Sequence, residues 1–318
     1  MSHVLQVFQT VLAFASVVLL CVFLKYRGII KAEHSPLFAQ LLIQVALPVV
    51  IFSKLATHPI APRQLLLVVS MIVAVIVCLG VSWGAGRVLR LDRAKTGALM
   101  MASSFGSSTL IGYPLIQYAF PHNPEALVDA ILISELGVGL PTFTLCVWVA
   151  MCFGEGAAAE AGRRRKILLD YFRSPIFIAL AAGLLISPLH LDPGSSYLAP
   201  FSQAADMVGA SIALLACLIL AIELDLRSMR HIWLVVVISA AIQMGLHPLV
   251  AGLQADLYHF TPLQREVLVL EAAMPSAILG VVFATRYRCA AHFNAVLVFG
   301  NILISLMAVP LAFWLLSR

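Results

Sequence analysis

Ala102-Ser-Ser-Phe-Gly-Ser-Ser-Thr-Leu-Ile-Gly-Tyr-Pro114 gathers four serines, a threonine, two glycines and a proline into thirteen residues. The chain is apolar on both sides of it, with Ala98-Leu-Met-Met101 before and Leu115-Ile116 after. Proline removes an amide donor and crowds the carbonyl one turn back, and glycine weakens a helix interior. An interrupted helix is therefore expected near Gly106–Gly112. A second stretch, Glu271-Ala-Ala-Met-Pro-Ser-Ala-Ile-Leu-Gly280, predicts another break at Pro275–Ser276.

What surrounds these breaks is far too apolar for water. The 318 residues are 62% hydrophobic and 11% charged, with mean hydropathy +1.01. A soluble domain is about half apolar and about a quarter charged. Lipid is the solvent that accepts such a surface, so the fold class expected is an all-α integral membrane protein. The net charge of +5 comes with no basic cluster on a polar fold, which argues against a nucleic-acid partner. The six cysteines form neither CxxC nor Cys/His spacings, and read as small core hydrophobes. No metal or other cofactor is expected beyond a coupling Na⁺ or H⁺.

A membrane-spanning helix needs about 20 mostly apolar residues. Ten windows qualify: 4–24, 37–56, 64–86, 96–120, 126–153, 174–191, 200–223, 232–254, 265–285 and 293–316. The first opens without Lys or Arg and lacks a clear small-residue cleavage site, so it reads as a span rather than a signal peptide. Alternate loops divide the positive charge unequally. Sixteen of the twenty Lys and Arg residues fall on the side holding Lys25, Arg87, Arg163–Lys166 and Arg286. The positive-inside rule makes that side cytoplasmic and places both termini outside a cell (inner) membrane.

The longest connection, 154–173, divides the chain into residues 1–153 and 174–318, five windows each. An odd number of spans per half gives the halves opposite orientation, an arrangement found in secondary transporters. A shift of 169 residues sets Ser107 on Ser276, Tyr118 on Tyr287, Pro141 on Pro310 and Gly106 on Pro275, one helix breaker against another.

Open backbone inside a membrane is tolerated where it lines a cavity or is buried in protein. The second half-helices are expected to begin near Thr109 and Ser276. Their free N–H groups carry partial positive charge and receive an anion without a lysine, while carbonyls ending the first halves suit a cation. The residues expected at the substrate are Gly106, Ser107, Ser108, Thr109, Gly112, Pro114, Pro275 and Ser276, joined by Asn301 of the tenth window. Intramembrane acids are costly and usually face a cavity or a partner. Glu271 and Glu135 are accordingly expected beside the cavity with Asn301, either acid serving as carrier of a coupling proton. The alternative is that the breakers kink packed helices and the acids join them. Lys54 reads as snorkelling at a span end, and His247 and Gln243 read mainly as packed helix residues.

Ala98-Leu-Met-Met-Ala-Ser-Ser-Phe-Gly-Ser-Ser-Thr-Leu-Ile-Gly-Tyr-Pro-Leu115 resembles the fourth helix of the auxin efflux carrier family, which includes plant PIN proteins and bacterial malonate-type carriers. Ala272–Ala284 resembles its ninth helix and Ala46-Leu-Pro-Val-Val-Ile-Phe-Ser53 its second. The resemblance implies two inverted five-helix repeats, with helices four and nine crossing at the site. Helices 1, 2, 6 and 7 would form a scaffold, and helices 3–5 and 8–10 a moving transport unit. It further implies elevator-like transport of a small organic acid such as a malonate- or auxin-like carboxylate, and a homodimer through the scaffold. The family usually carries Asn where this chain has Ser107, whose shorter hydroxyl offers no amide donors. Two other readings stay open: a sodium-coupled bile-acid-type symporter, and a membrane receptor or scaffold. An enzyme is disfavoured, because no GxSxG stands in a window and no HExxH occurs.

Overall fold

The computed structural model describes residues 3–58, 61–154, 172–189, 198–223 and 232–316, with isolated residues 169, 191 and 195. Most of the connection at 154–173 and the loop residues Arg227 and Arg230 therefore lie outside the described residues.

The described chain is helical throughout. In order the helices are α1 His3–Tyr26, α2 35–57, α3 Pro62–Val88, α4 Arg93–Ser104, α5 108–119 and α6 Pro124–Phe153. They continue as α7 Pro175–Leu189, α8 Ala199–Glu223, α9 Trp233–Leu257, α10 Pro262–Ala272, α11 Leu279–Arg286 and α12 Ala291–Leu316. Among the described residues α3, α6, α8, α9 and α12 are long and apolar enough to cross a bilayer, and Leu12–Tyr26, Leu42–Thr57 and Pro175–Leu189 are shorter apolar helices. The protein is thus an all-helical integral membrane protein. Its surface is inverted relative to a soluble one: Leu185 and Phe201 are 80% and 74% exposed, whereas Ser276 and Asn301 are wholly buried.

Local chemistry sets the ends. Proline stands in the first turn of α6, α7 and α10, where its missing N–H has no partner to lose. Asp92 caps α4 by accepting from Lys95 N at 2.8 Å, and Thr261 with Gln264 forms a capping box on α10. Interior prolines act differently. The π-helical turns Leu42–Ala46, Ser108–Gly112 and Ile242–Leu246 end just before Leu47-Pro48, Tyr113-Pro114 and His247-Pro248. A widened turn relieves the crowding that proline imposes on the carbonyl behind it. In α6 two more π turns, Ile133–Gly139 and Thr142–Cys146, flank Pro141.

Packing divides into two groups. Helix α2 packs on α7 and α8, and α8 on α1; α3 packs on α4 and α9, α9 on α10 and α12, and α4 on α12. Lys54 of α2 pairs with Asp206 of α8 at 3.0 Å, so its ammonium is partnered within the first group rather than simply reaching for water. The two groups meet where α1 touches α5 and α12 and where α2 touches α6.

Candidate functional site

Both expected breaks exist, and they meet. Helix α4 stops at Ser104 and α5 begins at Ser108; α10 stops at Ala272 and α11 begins at Leu279. The first break is shorter than expected, since Gly112 lies within the π turn of α5. The second is longer, since helix resumes at Leu279 rather than near Ser276. Gly106 and Ser276 form an isolated antiparallel bridge. Ser107 N donates to Pro275 O at 2.6 Å and Ala277 N to Phe105 O at 2.8 Å. Each unwound segment thus satisfies backbone groups of the other, as buried backbone requires.

A buried polar frame braces the crossing from behind. Ser276 Oγ donates to Ala102 O at the end of α4. Asn301 Nδ2 donates to Ser276 Oγ at 2.6 Å, Ser239 Oγ at 2.9 Å and Ala102 O at 3.2 Å. Gln243 Nε2 donates to Met274 O at 2.9 Å. Ser239 and Gln243 of α9 were not among the expected site residues. Gln243 is visible in the sequence as a polar residue in an apolar window, but its partner is a carbonyl that only the crossing brings near.

In front of the crossing is a cavity of about 400 Å³. Its polar wall includes Gly106, Ser107, Ser108, Thr109, Ser134 and Glu135, and its apolar wall includes Leu42, Leu47, Val138, Phe143, Ile176 and Ile278. The lining also includes Ser174 and Ile219, near the start of α7 and the end of α8, so the space extends toward the face from which the 154–173 connection departs. Starts of α5 and α11 both border it, through Ser108–Leu110 and Ala277–Leu279. Among the described residues, no Lys, Arg or His lines it. Helix starts of this kind can receive an anion without a basic side chain.

The two acids part company here. Glu135 lies at the cavity wall, where Oε1 accepts from Tyr113 OH at 2.7 Å and Thr109 Oγ1 at 3.0 Å. Ser134 links Thr109 and Ser108 beside it, at 3.0 and 2.8 Å. Glu271 and Asn301, expected at the cavity, are absent from its lining. Glu271 is on the far side of α5, 1% exposed, with neither carboxylate oxygen hydrogen-bonded among the described residues. Gly112 makes the room it occupies: a Cβ there would stand 2.6 and 2.8 Å from the two oxygens. An unpartnered ionised carboxylate at this depth is costly, so a proton or another cation must compensate it. The other expected residues are placed as follows. Pro275 borders a separate space of about 60 Å³ with Phe14, Met274 and Ile302, and Pro114 is buried inside α5. No cluster of three metal-ligating acids, histidines or cysteines occurs among the described residues.

Residues 6–315 match the family described as "Membrane transport protein". An uncharacterized transporter of Methanocaldococcus jannaschii is 25% identical over 315 residues, covering 97% of this chain and 98% of its own length. An uncharacterized transporter of Methanothermobacter thermautotrophicus is 26% identical over 305 residues, covering 95% of this chain and 96% of its own.

Proposed function

Since the chain belongs to the membrane transport protein family, in which the auxin efflux carriers it resembles are grouped, we propose that it is a secondary carrier of a small organic acid anion. The observation that carries this reading is the paired crossing of two broken helices beneath a cavity bordered by two helix starts. A carboxylate there receives N–H donors from Ser108–Leu110, Ile278 and Leu279 and hydroxyls from Ser107 and Ser108. Asn301 and Ser276 act from behind, by holding the crossing in register. Gly106 leaves room for the close approach of Met274 and Gln243 at the crossing, and Gly112 and Pro114 shape the turn that presents the site.

In this reading the chain crosses the membrane ten times as two inverted five-helix repeats, with both termini outside. Helices α1, α2, α7 and α8 are the scaffold, through which two copies can pair. Helices α3–α6 and α9–α12 move as one body in an elevator-like cycle. The cavity then opens to the cytoplasm. A coupling cation is carried at Glu271 or Glu135. The sodium-coupled, bile-acid-type alternative draws support from the unpaired carboxylate of Glu271, which suits a metal cation as well as a proton.

The test is uptake by purified protein in liposomes. Labelled malonate, malate, other dicarboxylates and an indole acid are offered with an imposed sodium gradient, a proton gradient, or neither. Saturable uptake of one acid, accumulated by one gradient, is the expected result. Folded protein that moves no carboxylate faster than empty liposomes would sink the organic-acid reading.

A further inference from the structure

Glu271 is sealed from water, so a proton reaches it only through other groups. Its neighbours along α10, Val267–Leu270 and Ala272–Met274, are buried and apolar. Neither of its oxygens holds a hydrogen bond among the described residues. Among those residues Glu135 is the acid whose charge reaches it, and Tyr113 interacts with the charge of both acids. The other titratable groups on the helices around α10 are engaged elsewhere. His247 of α9 meets Gln243, and Asp129 of α6 accepts from Gln64 of α3 at 2.5 Å. The buried polar side chains of α3 and α12 are hydroxyls and amides. The remaining charged residues of these helices, Arg63, Arg87, Glu125 and Asp256 among them, stand near helix ends. One turn of α5 joins the two acids. Gly112 leaves the space that the Glu271 carboxylate fills. The next residue, Tyr113, is 1% exposed and donates to Glu135 Oε1 at 2.7 Å. A phenol both gives and accepts a hydrogen. Glu135 in turn borders the cavity.

We propose that Tyr113 relays the coupling proton between Glu135, at the cavity, and Glu271, behind α5. The inference rests on the carrier reading above and names the path of its ion. Water reaching the cavity first protonates Glu135. The Glu271 carboxylate, held by no hydrogen bond among the described residues, turns toward Tyr113. Glu135 then gives its proton to Tyr113 Oη as the phenol passes its own proton to Glu271. One O–H bond breaks at Glu135 and one at the phenol; one forms at the phenol and one at Glu271. Glu135 is left a carboxylate, Glu271 is neutral, and the phenol is unchanged. The hydrogen bond from Tyr113 to Glu135 Oε1 is the arrangement this transfer leaves, and Thr109 donates to the same oxygen. Unloading runs the steps in reverse.

Infrared spectroscopy of the purified protein reads this path without any cargo. The band of the protonated Glu271 carboxyl is identified by its loss in Glu271→Gln. On transfer to heavy water the band should shift in wild type. In Tyr113→Phe, which keeps the ring, the shift should slow by about a hundredfold, the low end of what a positioned proton-transfer group contributes. Glu135→Gln breaks the same path at its other end and should slow it as well, so the result does not hang on the folding of one variant. In liposomes offered malonate, malate and an indole acid, a proton gradient should drive accumulation by wild type. Tyr113→Phe should lower that net uptake relative to exchange of labelled for unlabelled acid, which leaves the proton in place. Three results overturn the proposal and leave the carrier reading standing: equal band-shift rates in wild type and Tyr113→Phe, a Glu271 that carries no proton at any pH, or accumulation driven by sodium alone. Folded protein that moves none of the acids removes the carrier reading, while the infrared rates still decide whether Tyr113 feeds Glu271.

Discussion

At the scale of single residues, Gly112 is tightly constrained. It supports a turn, but its main role is to leave the volume that the Glu271 carboxylate fills. Gly112→Ala should therefore destabilise the protein by about 1–3 kcal/mol, as overpacking of a filled interior does. Adding Glu271→Ala should return much of that loss, because the two changes share one contact. Thermal unfolding in detergent measures both. An alanine variant as stable as wild type would show that the carboxylate yields without cost. The sequence made the breakers legible here, since Gly106, Pro114 and Pro275 stand out against apolar neighbours. It did not disclose which residue each one faces. Asn301 and Glu271 are polar in apolar windows, and that pattern places them inside the protein. Only the crossing decides that Asn301 braces it from behind, that Glu271 is enclosed behind Gly112 and that Glu135 meets the cavity.

At the scale of elements, most helix ends follow from signals in the sequence. Asp92 illustrates one. Its carboxylate is held below the usual range, first by the Lys95 amide it accepts from and then by the Lys95 side chain. A carboxylate lowered in this way stabilises the fold above its ordinary range, and the contribution fades as pH falls through its folded value. Asp92→Ala should cost about 1 kcal/mol at neutral pH, the common price of a lost cap. In unfolding experiments the gap between variant and wild type should close as the solution is acidified. A gap that persists unchanged in acid would refute the capping account. The π turns were less legible. Leu47-Pro48, Tyr113-Pro114 and His247-Pro248 each mark a disturbed turn, but a proline can kink, break or widen a helix, and packing selects among these. The longer second break has a similar origin: residues 273–278 are held open by Gln243 and Ser276, whose partners lie elsewhere in the chain.

At the scale of the whole molecule, the apolar exterior was readable from composition and window length. The distribution of Lys and Arg adds an orientation, which is testable through the cavity. Ser174 caps α7 and borders the cavity near its open end. Ser174→Cys should react with a membrane-impermeant thiol reagent added to the side that carries the sixteen basic residues. Five of the six native cysteines are buried, so background labelling should be low. Reaction only from the opposite side would reverse the orientation read from the charges. The grouping of helices was harder to foresee, because which apolar faces meet depends on shape. The Lys54–Asp206 pair makes the point. Each residue reads singly as a polar group near a span end, and their pairing across α2 and α8 appears only in the fold.

The bridge between Gly106 and Ser276 joins the two halves through main-chain atoms, and main-chain atoms are the same in every residue. The joint therefore survives many exchanges of the side chains around it. A lineage built on this plan can rewrite residues such as Ser107 and Glu135, one substitution at a time, without dismantling what holds them. On the carrier reading, cargo preference can then drift among descendants while the architecture stays put. A distant relative's solute, once identified, is then a poor guide to the solute of this chain, however well the two backbones superpose.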